Sequence, residues 1–364
     1  MRILFLANHF NTGGITSYVM TLARGLLRKG HHVVVASSGG DRVSECEFGG
    51  MRHVMASLRV KCAVHPNIFL SLPKLLRLVK DEKIDIIHAH TRSTQVCAAM
   101  LSRLAGIPVV STCHGFFKPH WGRRTFPLWG KAVIAISPQV ATHLTKDLCV
   151  EKKDVTVVAN GIDLDNFHPE DLLKKADHRR RWDLSDGPVI GIVARLSDVK
   201  GHCYLIDAMT DVLKIFPKVQ CLIVGVGPEE KRLKEQVRSK GLEQSVCFLN
   251  VVNKTSELVP LLDIFILPSL QEGLGLSAME AGACGVPVIA SRVGGIPEVV
   301  VDGETGILVP SRDSKALADA IIRLLGDPAK MLVLGQRARQ VVAERFSSDR
   351  MVERTIEVYQ KVLR

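Results

Sequence analysis

Short runs of valine, isoleucine and leucine punctuate this chain, and between them lie longer stretches in which apolar positions recur every three or four residues. The short runs read as buried strands and the periodic stretches as helices. In the first half Ile3–Ala7, His32–Ser37, Ile84–His88, Pro108–Cys113, Ala132–Ile136 and Val155–Ala159 are expected strands. Ser17–Lys29, Leu72–Lys80, Ser93–Ala105 and Pro138–Leu144 are the expected helices among them. Such alternation implies parallel strands joined by crossover helices. The polar run HPEDLLKKADHRRRWDLSDG interrupts the pattern and reads as a linker. A second alternating set starts at Val189–Val193 and continues through Val219–Val224 and the 264–290 region. The chain ends in an amphipathic helix, Asp349–Leu363. The expected organisation is an α/β chain with a first domain over 1–170, a linker over 171–187, a second domain over 188–345 and a terminal helical segment over 346–364.

A length of 364 residues suits two domains better than one core. No apolar run approaches the roughly 20 residues of a membrane-spanning helix. The start, MRILFLANHF, is too short and polar for a secretory signal and reads as the first strand. The nine cysteines show neither CxxC pairs nor metal-ligand spacing, so reduced core residues of a cytoplasmic protein are expected. Charge is placed unevenly. Residues 1–180 hold 25 Lys+Arg against 14 Asp+Glu, whereas 181–364 hold 23 of each. A basic half beside a neutral one points to an anionic partner for the first half. With no nucleic-acid-binding motif present, a phosphorylated acceptor or an anionic membrane surface is the better reading than nucleic acid. The stretch PHWGRRTFPLWGK interleaves Trp121, Phe126 and Trp129 with Arg123, Arg124 and Lys131. It reads either as a loop folded onto the core or as a contact with anionic lipid. Lys74, Arg77 and Lys80 add a second basic face, on a helix whose leucines face core or membrane.

Candidate chemistry concentrates in LPSLQEGLGLSAMEAGACGVPVIAS, which reads as strand Ile264–Pro268, a glycine loop, helix Ser277–Cys284 and strand Val286–Ala290. Gly273, Leu274 and Gly275, followed by Leu276 and Ser277, aim backbone N–H groups and a helix start at one spot, which suits a diphosphate. Glu272 at the loop and Glu280 two turns into the helix are poor phosphate ligands but good acceptors for sugar hydroxyls. Together they ask for a nucleotide-sugar. Arg195 and Lys200 follow the strand Val189–Ala194, at the edge where open α/β sheets bind ligands, and can neutralise phosphate oxygens. Gly13 and Gly14 follow the first strand and allow a ligand to approach the backbone.

The pattern of Glu272 and Glu280 resembles the E-x7-E signature of retaining GT-B glycosyltransferases, family 4 in particular. Other pieces stand in that family's order: Gly13-Gly14, His114 in STCHG, NGID at 160–163, Arg195 and Lys200 in ARLSDVKG, and VGGIPEVVVDGETGILVP. The resemblance runs over nearly the whole chain. It implies two Rossmann-like domains facing a cleft, with the terminal helix crossing back to the first. It also implies a retaining outcome, an acceptor site in the first domain and a donor site in the second. By the same likeness His114 lies near the donor sugar and β-phosphate, Glu272 meets sugar hydroxyls, Glu280 meets the ribose, and the base lies near Val251–Asn253, including Val252.

Three motifs read as decoys. Asp163-Leu-Asp165 is the sole D-x-D and sits where it would cap a turn, so no metal and no cofactor are expected. Gly225-Val-Gly227-Pro228 lacks the third glycine of a dinucleotide fingerprint. His88 and His90 share a strand face with no third metal ligand, and read as strand-end histidines at an acceptor site. The expected activity is therefore metal-independent transfer from a nucleotide-sugar to a phosphorylated or lipid-linked glycan of a bacterial envelope, as in lipopolysaccharide synthesis. The expected location is cytoplasmic, with peripheral attachment to the inner face of the membrane left open. A sugar-nucleotide epimerase on the same fold, or a non-catalytic glycan- or lipid-binding relative, are the alternatives.

Overall fold

The computed structural model describes residues 1–60, 65–118, 127–250 and 255–364, the side chain of residue 172 excepted. The chain forms two compact units, 1–161 together with 348–364, and 162–347.

In the first unit the strands are β1 (Arg2–Leu6), β2 (His32–Ser37), β3 (Arg52–Met55), β4 (Ile86–Ala89), β5 (Val109–Cys113), β6 (Ala132–Ala135) and β7 (Val155–Val157). They pair in parallel in the order β3-β2-β1-β4-β5-β6-β7. Alternate residues of each central strand bury on opposite faces. Ile3 and Phe5 join a core with helix Gly14–Arg28, while Leu4 and Leu6 join one with helices Pro66–Asp81 and Arg92–Ala105. Burial on both faces explains why β1, β2 and β4 read as near-continuous apolar runs.

The terminal helix Ser348–Leu363 belongs to this first unit. Met351, Val352, Val358 and Tyr359 bury in the same core as helix Gly14–Arg28, and Tyr359 Oη lies 2.6 Å from His88 Nδ1. The crossing-back that resemblance implied is thus seen in the packing.

The second unit holds β8 (Val189–Val193), β9 (Gln220–Val224), β10 (Val246–Leu249), β11 (Ile264–Leu267), β12 (Val288–Ser291) and β13 (Gly306–Val309), all parallel, in the order β10-β9-β8-β11-β12-β13. The stretch 171–187, expected as linker, carries helix Leu172–Arg181 and lies inside this unit. Its Lys175 and Arg179 reach Asp263 at 3.2 and 2.7 Å, and Arg179 also donates to Leu261 O. A run of cations on one side of a helix therefore tethers it to the β11 region. The chain passes between units at Gly161–Ile162 instead.

Both sheets are doubly wound, with the strand order reversing between β1 and β4 in one and between β8 and β11 in the other. At such a reversal the loops leave the carboxyl edge in opposite directions and open a crevice for ligands. No helix among the described residues is long and apolar enough to cross a membrane.

Candidate active site

In the second unit the loops after β8 and β11 interlock at the reversal. Val199 O accepts from Leu270 N at 2.8 Å. Gly201 has φ 69°, and a Cβ there would stand 1.9 Å from Pro268 O, so the two loops touch only because residue 201 is glycine. This contact brings Lys200 Nζ to 2.5 Å from Glu272 Oε2, with side-chain exposures of 24% and 14%. Ser269 Oγ adds a 3.4 Å contact to the same oxygen.

Arg195 is exposed and, among the described residues, has no carboxylate partner. The Gly225-Val-Gly227 decoy has a structural use here. A Cβ at Gly225 or Gly227 would lie 2.1 Å from Ala194 O or Leu196 O, so these glycines let the β8 exit carrying Arg195 pass against the β9 exit.

Helix Leu276–Ala283 starts at Gly275, φ 95°, with no side-chain cap. Its unmatched N–H groups give the start a partial positive charge. Gly273 and Leu274 are buried in the loop ahead of it, Leu276 and Ser277 are half-buried in its first turn, and Glu280 is half-buried further along. Sequence reading missed His202, whose signal was its place directly after Lys200-Gly201. It is 1% exposed, neither ring nitrogen has a protein partner, and burial beside Lys200 drives its pKa down to about 4. Val252 and the whole expected base-contacting stretch lie outside the described residues.

The first unit gathers His114, Gly13 and Gly14 at the carboxyl edge of its own sheet. Gly13 and Gly14 are exposed at the start of helix Gly14–Arg28, and a Cβ on either would meet nothing within 4 Å. The backbone at Gly13, φ 159°, itself favours glycine, whereas nothing in the fold requires a small residue at Gly14.

His88, expected as an ordinary strand-end histidine, proves part of a stack. Its ring lies 4.3 Å from that of His90, and His90 Nδ1 is 3.3 Å from His114 Nε2. Tyr18 packs edge-on against His90 and His114. His88 also bonds Tyr359 and, through Nε2, Thr112 Oγ1 at 2.7 Å. Burial holds His88 and His114 neutral, with pKa values pushed down to about 3, and His90 well below its ordinary value. Beside the stack, Asn8 Oδ1 accepts from Thr91 and Ser93 hydroxyls.

The D-x-D motif is spent locally: Asp163 Oδ1 accepts from Asp165 N and Oδ2 from Asn166 Nδ2. Among the described residues no group of three or more His, Cys, Asp or Glu could hold a metal ion. Trp129, one arm of the aromatic-basic stretch, is 5% exposed and belongs to the core, whereas Lys131 is exposed. Residues 119–126 lie outside the described residues.

Two doubly wound sheets, each with polar groups at its reversal point, define the GT-B architecture. The profile described as Glycosyltransferase Family 4 matches residues 12–166, and that described as Glycosyl transferases group 1 matches 174–341. The chain is 30% identical to alpha-maltose-1-phosphate synthase of Mycolicibacterium smegmatis over 77% of this chain and 80% of the relative. It is 29% identical to N-acetyl-alpha-D-glucosaminyl L-malate synthase of Bacillus anthracis over 97% and 95%. Among solved structures, HepE of Anabaena in complex with UDP and glucose superposes with a TM-score of 0.88 at 24% identity, covering 99% of both chains. The chain belongs to the GT-B glycosyltransferases of family 4, group 1.

Proposed function

We propose that this glycosyltransferase moves a sugar from a nucleotide-sugar bound by the second unit to an anionic acceptor, phosphorylated or lipid-linked, bound by the first. The observation that carries this reading is the joined loop pair at the β8–β11 reversal: unpaired Arg195, the Lys200–Glu272 ion pair and an uncapped helix start. A departing nucleoside diphosphate needs fixed positive charge aimed at its oxygens. Arg195 can supply a two-pronged guanidinium contact, and Lys200 a point charge. Lys200 is already matched by Glu272 in the free protein. On donor binding the lysine turns to phosphate while the glutamate accepts from sugar hydroxyls, so neither charge is left unmatched. Glu280 accepts from the ribose.

Metal is not required in this reading, because fixed cations and N–H groups take its place. The resemblance to retaining enzymes supports retention of configuration, with attack on the same face as the leaving group and the leaving phosphate oxygen taking the acceptor's proton. His114, held neutral, then acts as a hydrogen-bonding group to the donor rather than as a proton-accepting base. Two relatives named for malate and maltose-1-phosphate, together with the charge of the first unit, support an anionic acceptor. That unit carries 25 Lys+Arg against 12 Asp+Glu, the second 23 against 25. A role in envelope or lipopolysaccharide synthesis fits a lipid-linked acceptor. The test is donor hydrolysis and transfer with UDP-, GDP- and ADP-sugars in EDTA. Turnover with one of them is expected, and inertness toward all of them overturns the reading.

A further inference from the structure

Helix Pro66–Asp81 lies on the sheet face opposite helix Gly14–Arg28, and it buries only one side. Ile68, Leu72, Leu75, Leu78 and Val79 face the core. The exposed positions are Pro66, Phe69, Leu70, Pro73, Lys74, Arg77, Lys80 and Asp81. At 3.6 residues per turn these fall in one stripe about 140° wide, along a helix about 24 Å long. Its two ends differ. The first turns carry Phe69, 45% exposed, and Leu70, 77% exposed. The rest carries Lys74, Arg77 and Lys80, none of which has a carboxylate partner among the described residues, with Met55, 55% exposed, beside Lys74. Arg103 and Leu104 are also exposed, at the end of the neighbouring helix Arg92–Ala105.

The apolar end borders the ligand edge of the sheet. Ser71 Oγ accepts from Ser57 N, and Leu58 O accepts from Ser93 Oγ, which also donates to Asn8 Oδ1 beside the histidine stack. A helix lying on the surface with bulky apolar groups at one end and unmatched cations along it suits the boundary of an anionic bilayer. The apolar tip enters the acyl region and the cations meet headgroup phosphates. Two part-exposed side chains fall far short of the roughly 800 Å² per partner of a stable protein interface, and the cation stripe disfavours a second copy of itself.

We propose that the outer stripe of helix Pro66–Asp81 docks this enzyme on an anionic lipid surface, with Phe69 and Leu70 inserted next to the acceptor edge. This deepens the reading of a lipid-linked acceptor and rests on it only for its purpose, because vesicle binding is read without turnover. Phe48 is the internal control. It is 96% exposed, but it follows Glu47 and belongs to the helix on the opposite sheet face.

The experiment is co-sedimentation of the full chain with phosphatidylcholine vesicles, with and without 30% phosphatidylglycerol, at about 0.1 M and about 1 M salt. Wild type should bind the anionic vesicles, bind neutral ones at least about tenfold less, and release in high salt. The triple variant Lys74→Gln, Arg77→Gln, Lys80→Gln should lose up to roughly 100-fold in affinity, and Phe69→Ser with Leu70→Ser about tenfold. Phe48→Ser should bind as wild type, and donor hydrolysis should stay within about twofold in every variant. The proposal is overturned if wild type ignores anionic vesicles at low salt, or if both face variants bind as wild type does. It is also overturned if Phe69→Ser with Leu70→Ser abolishes a dimer in light scattering while vesicle binding persists. Binding without turnover on any donor would defeat the transferase reading and leave the docking surface standing.

Discussion

The same doubly wound sheet is built twice in this chain, yet the two reversal points carry opposite chemistry. At the β1–β4 edge burial keeps three stacked histidines neutral, and hydroxyls and an amide surround them. At the β8–β11 edge Arg195 is an exposed charge and Lys200 and Glu272 form a half-buried ion pair. In the function proposed above, the neutral, hydrogen-bonding edge orients hydroxyls. In the same proposal the charged edge holds a diphosphate and stabilises its departure. One architecture thus supplies two binding chemistries through its loops, while the strands beneath stay interchangeable apolar runs.

The largest effect that would break this contrast is at Arg195. Arg195→Ala should lower kcat on the order of 100-fold or more, as for other preorganised groups that act on developing charge. Arg195→Lys should recover only part of it, because a point charge cannot fork onto two oxygens. Near wild-type turnover of Arg195→Ala would remove it from the site.

The second effect is coupling. Lys200→Met and Glu272→Gln each leave a part-buried charge without its partner, and the double variant removes both. In steady-state kinetics the losses should be non-additive, with a coupling of about 1–3 kcal/mol. Strict additivity would mean that the pair has no shared role.

The histidine stack gives the third effect, in stability. The folded pKa values of His88 and His90 lie below the ordinary value near 6.5, so the unfolded chain binds more protons in acid. The stabilisation is complete above about pH 6.5 and is lost as pH falls, for His88 toward about 3, by up to about 1.4 kcal/mol per pH unit for each ring that stays neutral. Urea unfolding at pH 7 and pH 5 should show the drop, and His90→Phe should make it shallower. An unchanged slope in that variant would mean that His90 already carries a proton. The smallest effect is at Gly14, where Ala should leave the melting temperature within about 2 °C, since nothing packs against it, yet raise KM for the acceptor or donor. A matching loss of stability would restore a purely structural reason for the glycine.

How much of this was legible depended on where each residue sits. The central strands announced themselves because both of their faces are buried. Strands β3, β10 and β13 did not, and all three are sheet edges. RHVM is exposed or half-buried throughout and forms no apolar run, whereas VCFL is apolar but short, and only its first residue is buried. Helix Pro66–Asp81 starts six residues before its expected beginning at Leu72. His65 caps it and Pro66 opens it, while Pro73 stands inside it on the exposed side. The charge asymmetry sharpened once the terminal helix was assigned to the first unit and residues 162–180 to the second. The Gly-Leu-Gly loop and its glutamates were readable as a local motif. The Lys200–Glu272 pair was not, since 72 residues separate the partners and only the β8–β11 pairing brings them together. His88 and His90 were visible as a pair, but their link to His114 needs β4 and β5 to be neighbours.

The most direct test of the central claim, that fixed charge at the β8–β11 edge holds the donor's diphosphate, is calorimetric titration of UDP, GDP and ADP in EDTA. Wild type should bind one of them, Arg195→Ala should bind it at least about tenfold more weakly, and His114→Phe should bind it nearly as wild type does. Binding that appears only after Mg²⁺ or Mn²⁺ is added, or an affinity unchanged in Arg195→Ala, would contradict the account.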